Sequence, residues 1–278
     1  GYDSANYFDR KEVNKLDPYT QYALITSDQA INDSGLDLAL IDKDRAGVIW
    51  GTGIGGFETF YSTIKAHALG DGTPRFSPFF IPKMISNIAS GSISIKYGFR
   101  GPNFATVSAC ASSTHSLIDA LTYIKLGKAD IILAGGSEAT INEPGIGGFN
   151  AMQAMSTNNQ EYMSASRPFD KTRDGFVMGE GAGAILLEDM DHARARGAKI
   201  YAELAGAGMS ADAYHLTAPH PEGTGARNVM IFALQDAGLR PEDIDYINVH
   251  GTATPLGDIS EAKAIREVFG EHAYKLNL

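Results

Sequence analysis

Cysteine is all but missing: Cys110 is the one cysteine in 278 residues. An intramolecular disulfide is thereby excluded, and a reducing compartment, the cytoplasm, is the expected setting. The metal-holding spacings CxxC and HExxH are absent, so no metal site is expected. No apolar run comes near the ~18 residues that span a bilayer, and the opening residues carry no secretory pattern. Basic residues are scarce as well. The 23 Lys and Arg stand against 33 Asp and Glu, for a formal net charge of -10 and a pI near 5.1. That balance argues against nucleic acid or an anionic membrane as main partner. It admits an acidic partner only through a local basic patch.

Apolar residues, by contrast, make up 44% of the chain, enough for a packed core. The 31 glycines are about 11% against a typical ~7%, which predicts many tight strand-to-helix turns. Strands are expected over 45–51, 103–109, 129–136, 181–189, 200–210 and 244–251. Helices are expected over 18–34, 81–98, 112–127, 225–238 and 258–270. The alternation predicts an α/β fold with largely buried sheets. The stretch 141–180 reads as a long, glycine-rich polar loop of the kind that carries function.

Cys110 lies in "VSACASSTHSL", where a strand ends and a helix begins. The free backbone N–H groups of a helix N-terminus sum to about half a positive charge, which stabilises a thiolate. Ala109, Ala111, Ser112 and Ser113 are small and leave the sulfur reachable. A lone cysteine is as readily a core residue, so a nucleophile needs a helper. "NVHGTATPLGD" (248–258) offers one. His250 ends an apolar strand before a glycine turn, at the strand end where α/β folds bind ligands. Its imidazole can donate to a developing oxyanion or accept a proton. Thr252 and Thr254 present hydroxyls suited to the amides of a ligand. His67, His115, His192, His215, His220 and His272 lack such context, and His115 is expected on another face of its helix.

Two glycine-rich stretches imitate nucleotide loops. "GTGIGG" (51–56) fits GxGxxG after a strand, but the acidic residue about 20 positions on, Asp71, falls in a turn. "FVMGEGAGA" (176–184) lacks the Lys-Ser/Thr pair of a phosphate loop; tight strand packing is expected, with Glu180 paired to a buried group. No GxSxG elbow is present.

"VSACASSTHS", "SRPFDKTRDGFVMGEGAGAILLE" and "HGTATPLGD", in that order, resemble the elongating β-ketoacyl-acyl carrier protein synthases of the thiolase superfamily. The resemblance runs from "DRKEVNKLDPYTQYA" to the last residue, and "MGEGAG" and "GGFNAMQAMS" favour the type II enzyme. It implies a thiolase-like five-layer αβαβα fold of two similar halves and a homodimer. The halves would be 1–198, lacking its first strand and helix, and 199–278, incomplete. Cys110 matches the nucleophile and His250 the first of two catalytic histidines. Thr252 and Thr254 match residues holding the phosphopantetheine arm, and Ile54 and Phe149 the acyl pocket. Phe80 and Ile81 match the segment that closes the partner subunit's pocket. Lys11, Lys15 and Arg75 match the basic residues that dock acyl carrier protein. Family members continue past residue 278 with a lysine, a second histidine and a gating phenylalanine, so the piece alone is expected to be inactive.

The implied reaction is a decarboxylating Claisen condensation. The Cys110 thiolate takes an acyl chain from its carrier, malonyl carrier protein loses CO2, and the carbanion attacks the acyl-cysteine to give a 3-oxoacyl product. No metal or organic cofactor is called for, since the thioester already acidifies the carbon. A polyketide ketosynthase is the near alternative, and a nucleotide-binding module using GTGIGG the distant one. A degradative thiolase would need a second cysteine. A non-catalytic chain-length subunit would lack Cys110.

Overall fold

Six consecutive buried residues, Ala46–Gly51, form the central strand β1. A parallel strand covered on both faces reads as a continuous apolar run rather than an alternating one. The computed structural model describes residues 2–278. In it β1 pairs in parallel with β2 (Asn103–Thr106) and β3 (Ile131–Glu138), and β4 (Gly181–Glu188) runs antiparallel to β3. The sheet order is β2-β1-β3-β4. Register pairs Gly51 with both Thr106 and Gly136, which brings the C-terminal ends of three strands side by side.

The helices are α1 (Arg10–Val13), α2 (Pro18–Ser34), α3 (Phe57–Ala68), α4 (Phe80–Met84), α5 (Ile88–Tyr97), α6 (Ser112–Lys125), α7 (Glu143–Ala151), α8 (Met190–Ala195), α9 (Thr224–Ala237) and α10 (Pro255–Phe269). Side chains alternate across the pleat. Val48, Trp50 and Leu133 pack with Tyr19, Ala23 and Ile31 of α2 and Ala89 and Ile93 of α5. Ile49, Ile132 and Ala134 pack on the opposite face with Ala120 of α6. Helices on both faces of a mostly parallel sheet are the expected α/β class.

The chain divides into two compact units. One comprises the stretch ending at Pro144 with Gly179–Ala202, and the other Gly145–Met178 with Glu203–Leu278. In the second, α9 packs on α10.

Several local expectations are corrected. The stretch 200–210 forms no strand, and 244–251 makes only a single parallel bridge, Tyr246 to Asn277. Strand-like composition does not supply a ladder partner. The helix expected over 81–98 is two, because Ile85 is extended (ψ 140°) and its carbonyl accepts the Tyr19 hydroxyl at 2.8 Å. The loop expected over 141–180 contains α7, and α3 was not anticipated at all.

Candidate active site

Between β2 and α6 the chain makes a tight turn, and Cys110 stands exposed on it. Ala109 has φ +49°, the left-handed region that costs a residue with a Cβ on the order of 1–3 kcal/mol. Ser112 ties the turn down. Its hydroxyl donates to the Ala109 carbonyl at 2.7 Å and accepts the Ser108 N–H at 2.8 Å. Its carbonyl accepts the Thr106 hydroxyl at 2.7 Å. The N-cap residue of α6, Ala111, makes no side-chain cap bond, and the helix N-terminus sets its field beside the thiol. His115, expected on another face, in fact reaches this turn: its Nδ1 bonds the Ser108 hydroxyl at 2.8 Å.

The sheet is shaped to receive this turn. A Cβ on Gly51 would lie 2.5 Å from the Ser112 carbonyl, and one on Gly136 would lie 2.6 Å from Ser113 Cβ. Glycine at both strand ends lets the first turn of α6 rest directly on the sheet.

"GTGIGG" follows β1 and leads into α3, as a dinucleotide loop would. Its donors are already taken. The Gly53 N–H donates to Glu138 Oε2 at 2.6 Å, and the Thr52 hydroxyl to Glu138 Oε1 at 3.2 Å. An internal carboxylate thus takes donors that a nucleotide loop would offer to a phosphate, which counts against the nucleotide-binding alternative. Ile54 projects from this loop, 46% exposed. Glu180 corrects a second expectation: it is exposed, accepting from the Tyr22 hydroxyl at 3.2 Å and the Ile141 N–H at 2.8 Å.

Also in the first unit, Phe80 stacks on Phe76 at 5.5 Å, and Ile81 beside it is 54% exposed. Lys11 and Lys15 are exposed, the latter 5.6 Å from the centre of the Phe79 ring. Arg75, exposed, pairs with Asp71 at 3.5 Å. Lys15 and Arg75 thus both flank the segment leading into α4.

The second unit holds His250, Thr252, Thr254 and Phe149. His250 is exposed at a turn of two left-handed residues, Gly251 (φ +49°) and Ala253 (φ +58°). Glu261 of α10 accepts the His250 N–H at 2.7 Å and the Gly251 N–H at 2.9 Å. The Thr252 and Thr254 hydroxyls meet at 2.9 Å, and a Cβ on Gly257 would lie 2.4 Å from the latter. Asp258, buried in the first turn of α10, accepts the Phe169 N–H at 2.7 Å and pairs with Arg173 at 3.1 Å. Arg173 also donates to the Pro255 carbonyl at 2.8 Å, and the Gly175 N–H to that of Ala253 at 3.0 Å. The motifs "SRPFDKTRDGF" and "HGTATPLGD" are therefore one interlocked structure. Phe149 meets Phe176 edge-to-face at 5.3 Å.

Glu138, Glu261, Asp258, Arg173 and Ser112 were not singled out from sequence. Asp258 and Arg173 stood inside quoted motifs, and Glu138 at a strand end, but their partners are remote in the chain. Among the described residues no cluster of His, Cys, Asp and Glu could hold a metal, and no helix is long and apolar enough to cross a membrane.

Comparison with known proteins matches residues 3–193 to the beta-ketoacyl synthase N-terminal domain and 201–278 to the beta-ketoacyl synthase C-terminal domain. A 3-oxoacyl-[acyl-carrier-protein] synthase 2 of Staphylococcus aureus is 47% identical over 98% of this chain and 67% of its own length. One from Synechocystis sp. is 46% identical over 99% of this chain and 66% of its own. The chain thus spans about two thirds of these relatives. The crystal structure of a beta-ketoacyl synthase from Burkholderia phymatum superposes with a TM-score of 0.88 at 34% identity, covering 98% of this chain and 66% of that one. A type II PKS acyl-carrier protein in complex with its ketosynthase also gives 0.88 at 34% identity, covering 93% and 64%.

Proposed function

Because the chain belongs to the beta-ketoacyl synthase family, we propose that it carries the nucleophile and one histidine of a fatty-acid-elongating condensing enzyme. The observation that carries the reading is the exposed Cys110 on a left-handed turn at the N-terminus of α6.

Thiolate is the attacking form, and a helix N-terminus favours it. Cys110 Sγ attacks the carbonyl of an acyl thioester; the new S–C bond forms as the carrier's own thiol leaves and takes a proton. The neighbouring N–H groups receive the developing oxyanion. In the second half-reaction a malonyl thioester breaks its bond to CO2 and leaves an enolate. His250 donates a hydrogen bond to that enolate oxygen, and Glu261, by gripping two backbone N–H groups, holds the imidazole in place. The carbanion then attacks the acyl-cysteine, a carbon–carbon bond forms, and the Cys110 thiolate departs. Thr252 and Thr254 receive the amides of the phosphopantetheine arm.

The partner in this reading is acyl carrier protein, an acidic protein met by Lys11, Lys15 and Arg75 in the cytoplasm. A structural neighbour, a ketosynthase in complex with its acyl-carrier protein, supports that class of partner. Ile54 and Phe149 line the acyl site. In a homodimer Phe80 and Ile81 close the site of the partner subunit. We divide the chain at 198/199 into an N-terminal and a C-terminal half. Fatty acid elongation is preferred to polyketide synthesis because the synthase 2 relatives reach 47% identity, against 34% for the polyketide neighbour. Trapping an acyl group on Cys110 tests the reading.

A further inference from the structure

The turn that carries Ile54 is fastened by a carboxylate that the chemistry above does not use. Glu138 ends β3, and its side chain reaches the residues just beyond β1. Its two oxygens take the Gly53 N–H at 2.6 Å and the Thr52 hydroxyl at 3.2 Å. Thr52 Oγ1 in turn accepts the Gly55 N–H at 3.0 Å. One carboxylate and one hydroxyl thus occupy the convergent donors of a glycine turn.

The arrangement follows from register. Gly51 pairs with Gly136, so β3 runs two residues past the end of β1 and places Glu138 beside the turn. Ser137 is anchored by the Trp50 Nε1–H at 2.9 Å. A Cβ on Gly53 would lie 2.7 Å from Glu138 Oε2, so a side chain there would push the carboxylate aside.

The same turn touches the one that bears Cys110. The Thr52 N–H donates to the Thr106 carbonyl at 3.2 Å, and a Cβ on Gly53 would lie 3.8 Å from the Ala109 carbonyl oxygen. Ile54 is the next residue, an exposed apolar side chain beside the nucleophile's turn. A β-branched side chain is stiff at χ1, so its place is set by its backbone. Here the backbone is set by Glu138.

We propose that Glu138 is a positioning residue that fixes the 52–56 turn against the Ala109–Cys110 turn and thereby sets how long an acyl chain on Cys110 can be before it meets Ile54. The proposal rests on the reading of Cys110 as acyl acceptor. Glutamine in place of Glu138 keeps the size but offers one acceptor oxygen where the carboxylate offers two. The turn then loosens and the Ile54 wall gives way.

Acylation of the full-length protein is measured by intact mass with six- and fourteen-carbon acyl carrier protein thioesters, and the ratio of the long-chain to the short-chain rate is the readout. That ratio cancels any effect on the thiol itself. Glu138→Gln raises it about tenfold, the size of one lost hydrogen bond to a charged group, and Glu138→Asp restores it in part. Thr52→Val moves it the same way by a smaller factor, which keeps the test open should Glu138→Gln fold poorly. Burial pushes the Glu138 carboxyl above the usual range, against the pull of the Gly53, Ile54 and Gly55 N–H groups and the Thr52 hydroxyl. In the unaltered protein the ratio accordingly rises as pH falls through that raised range, and in Glu138→Gln it is flat. A ratio that stays level or falls in both variants overturns the proposal. Absence of any acyl group on Cys110 in the unaltered protein overturns instead the reading beneath it.

Discussion

Glu261 holds His250 by the backbone: one carboxylate oxygen takes the His250 N–H at 2.7 Å and the other takes the Gly251 N–H at 2.9 Å. Both donors lie on a turn with two left-handed residues. Hydrogen bonds to a charged acceptor are worth about 1.5–3 kcal/mol each. In the full-length protein, Glu261→Ala is therefore expected to slow malonyl decarboxylation about 10- to 100-fold. Acylation of Cys110 changes little, because its turn belongs to other elements. Measuring both half-reactions on one preparation checks this, and equal losses in both would show a general loss of fold.

Asp258 and Arg173 form an ion pair with 2% and 13% side-chain exposure. Breaking one partner of such a pair strands the other charge, at a cost of about 3–5 kcal/mol. Asp258→Ala is expected to lower the unfolding free energy from urea titration by that amount, with the 252–254 turn losing protection from hydrogen exchange first. A loss below about 1 kcal/mol would mean that water reaches Arg173.

Asp17 gives a pH dependence. It is fully buried, and its two oxygens cap two helices, accepting the Tyr19 N–H of α2 at 3.2 Å and the Thr59 N–H of α3 at 2.8 Å. Burial pushes its carboxyl above the usual range, and the bonds from Thr59 and Tyr19 pull it back only in part. A raised folded-state value means that the folded chain holds its proton more tightly than the unfolded chain. The contribution is complete below the ordinary aspartate range and is lost as pH rises through the raised value. Unfolding free energies between about pH 4 and 7 should therefore show the original chain losing ground to Asp17→Asn as pH rises. A difference that is constant, or that grows the other way, would contradict this.

Lys11, Lys15 and Arg75 supply basic charge on a chain of net charge -10. Reversing all three to Glu is expected to raise KM for carrier-protein thioesters at least about tenfold and to flatten the salt dependence, while small pantetheine thioesters react as before. An unchanged KM and salt response would remove these residues from the docking surface.

Legibility in the sequence followed the range of the interactions. Helix α2 was read with its bounds, because Asp17, Pro18 and Gly35 are local start and stop signals. Strands β1, β3 and β4 were read because their apolar runs are bounded by glycine, whereas β2, expected over 103–109, ends at Thr106 where the chain turns toward Cys110. The stretch 200–210 was misread because composition says nothing about whether a partner strand is at hand. Helix α3 was missed although Phe57, Phe60, Tyr61 and Ile64 repeat at helical spacing; the reading stopped at the glycine loop before it. That loop's true partner, Glu138, is 85 residues from Gly53. Cys110 and His250 stood out by their strand-end positions, whereas Glu261, which grips His250 from α10, is visible only in three dimensions.

The account turns on Cys110 as the acyl acceptor. The direct measurement is to incubate the full-length protein with an acyl carrier protein thioester, digest it, and locate the added acyl mass by peptide mass spectrometry. One acyl group is predicted on the peptide containing Cys110, absent from Cys110→Ala, with the melting temperature of that variant essentially unchanged since only a small exposed group is removed. An acyl group on Ser108, Ser112 or Ser113, or no adduct at all, would contradict it.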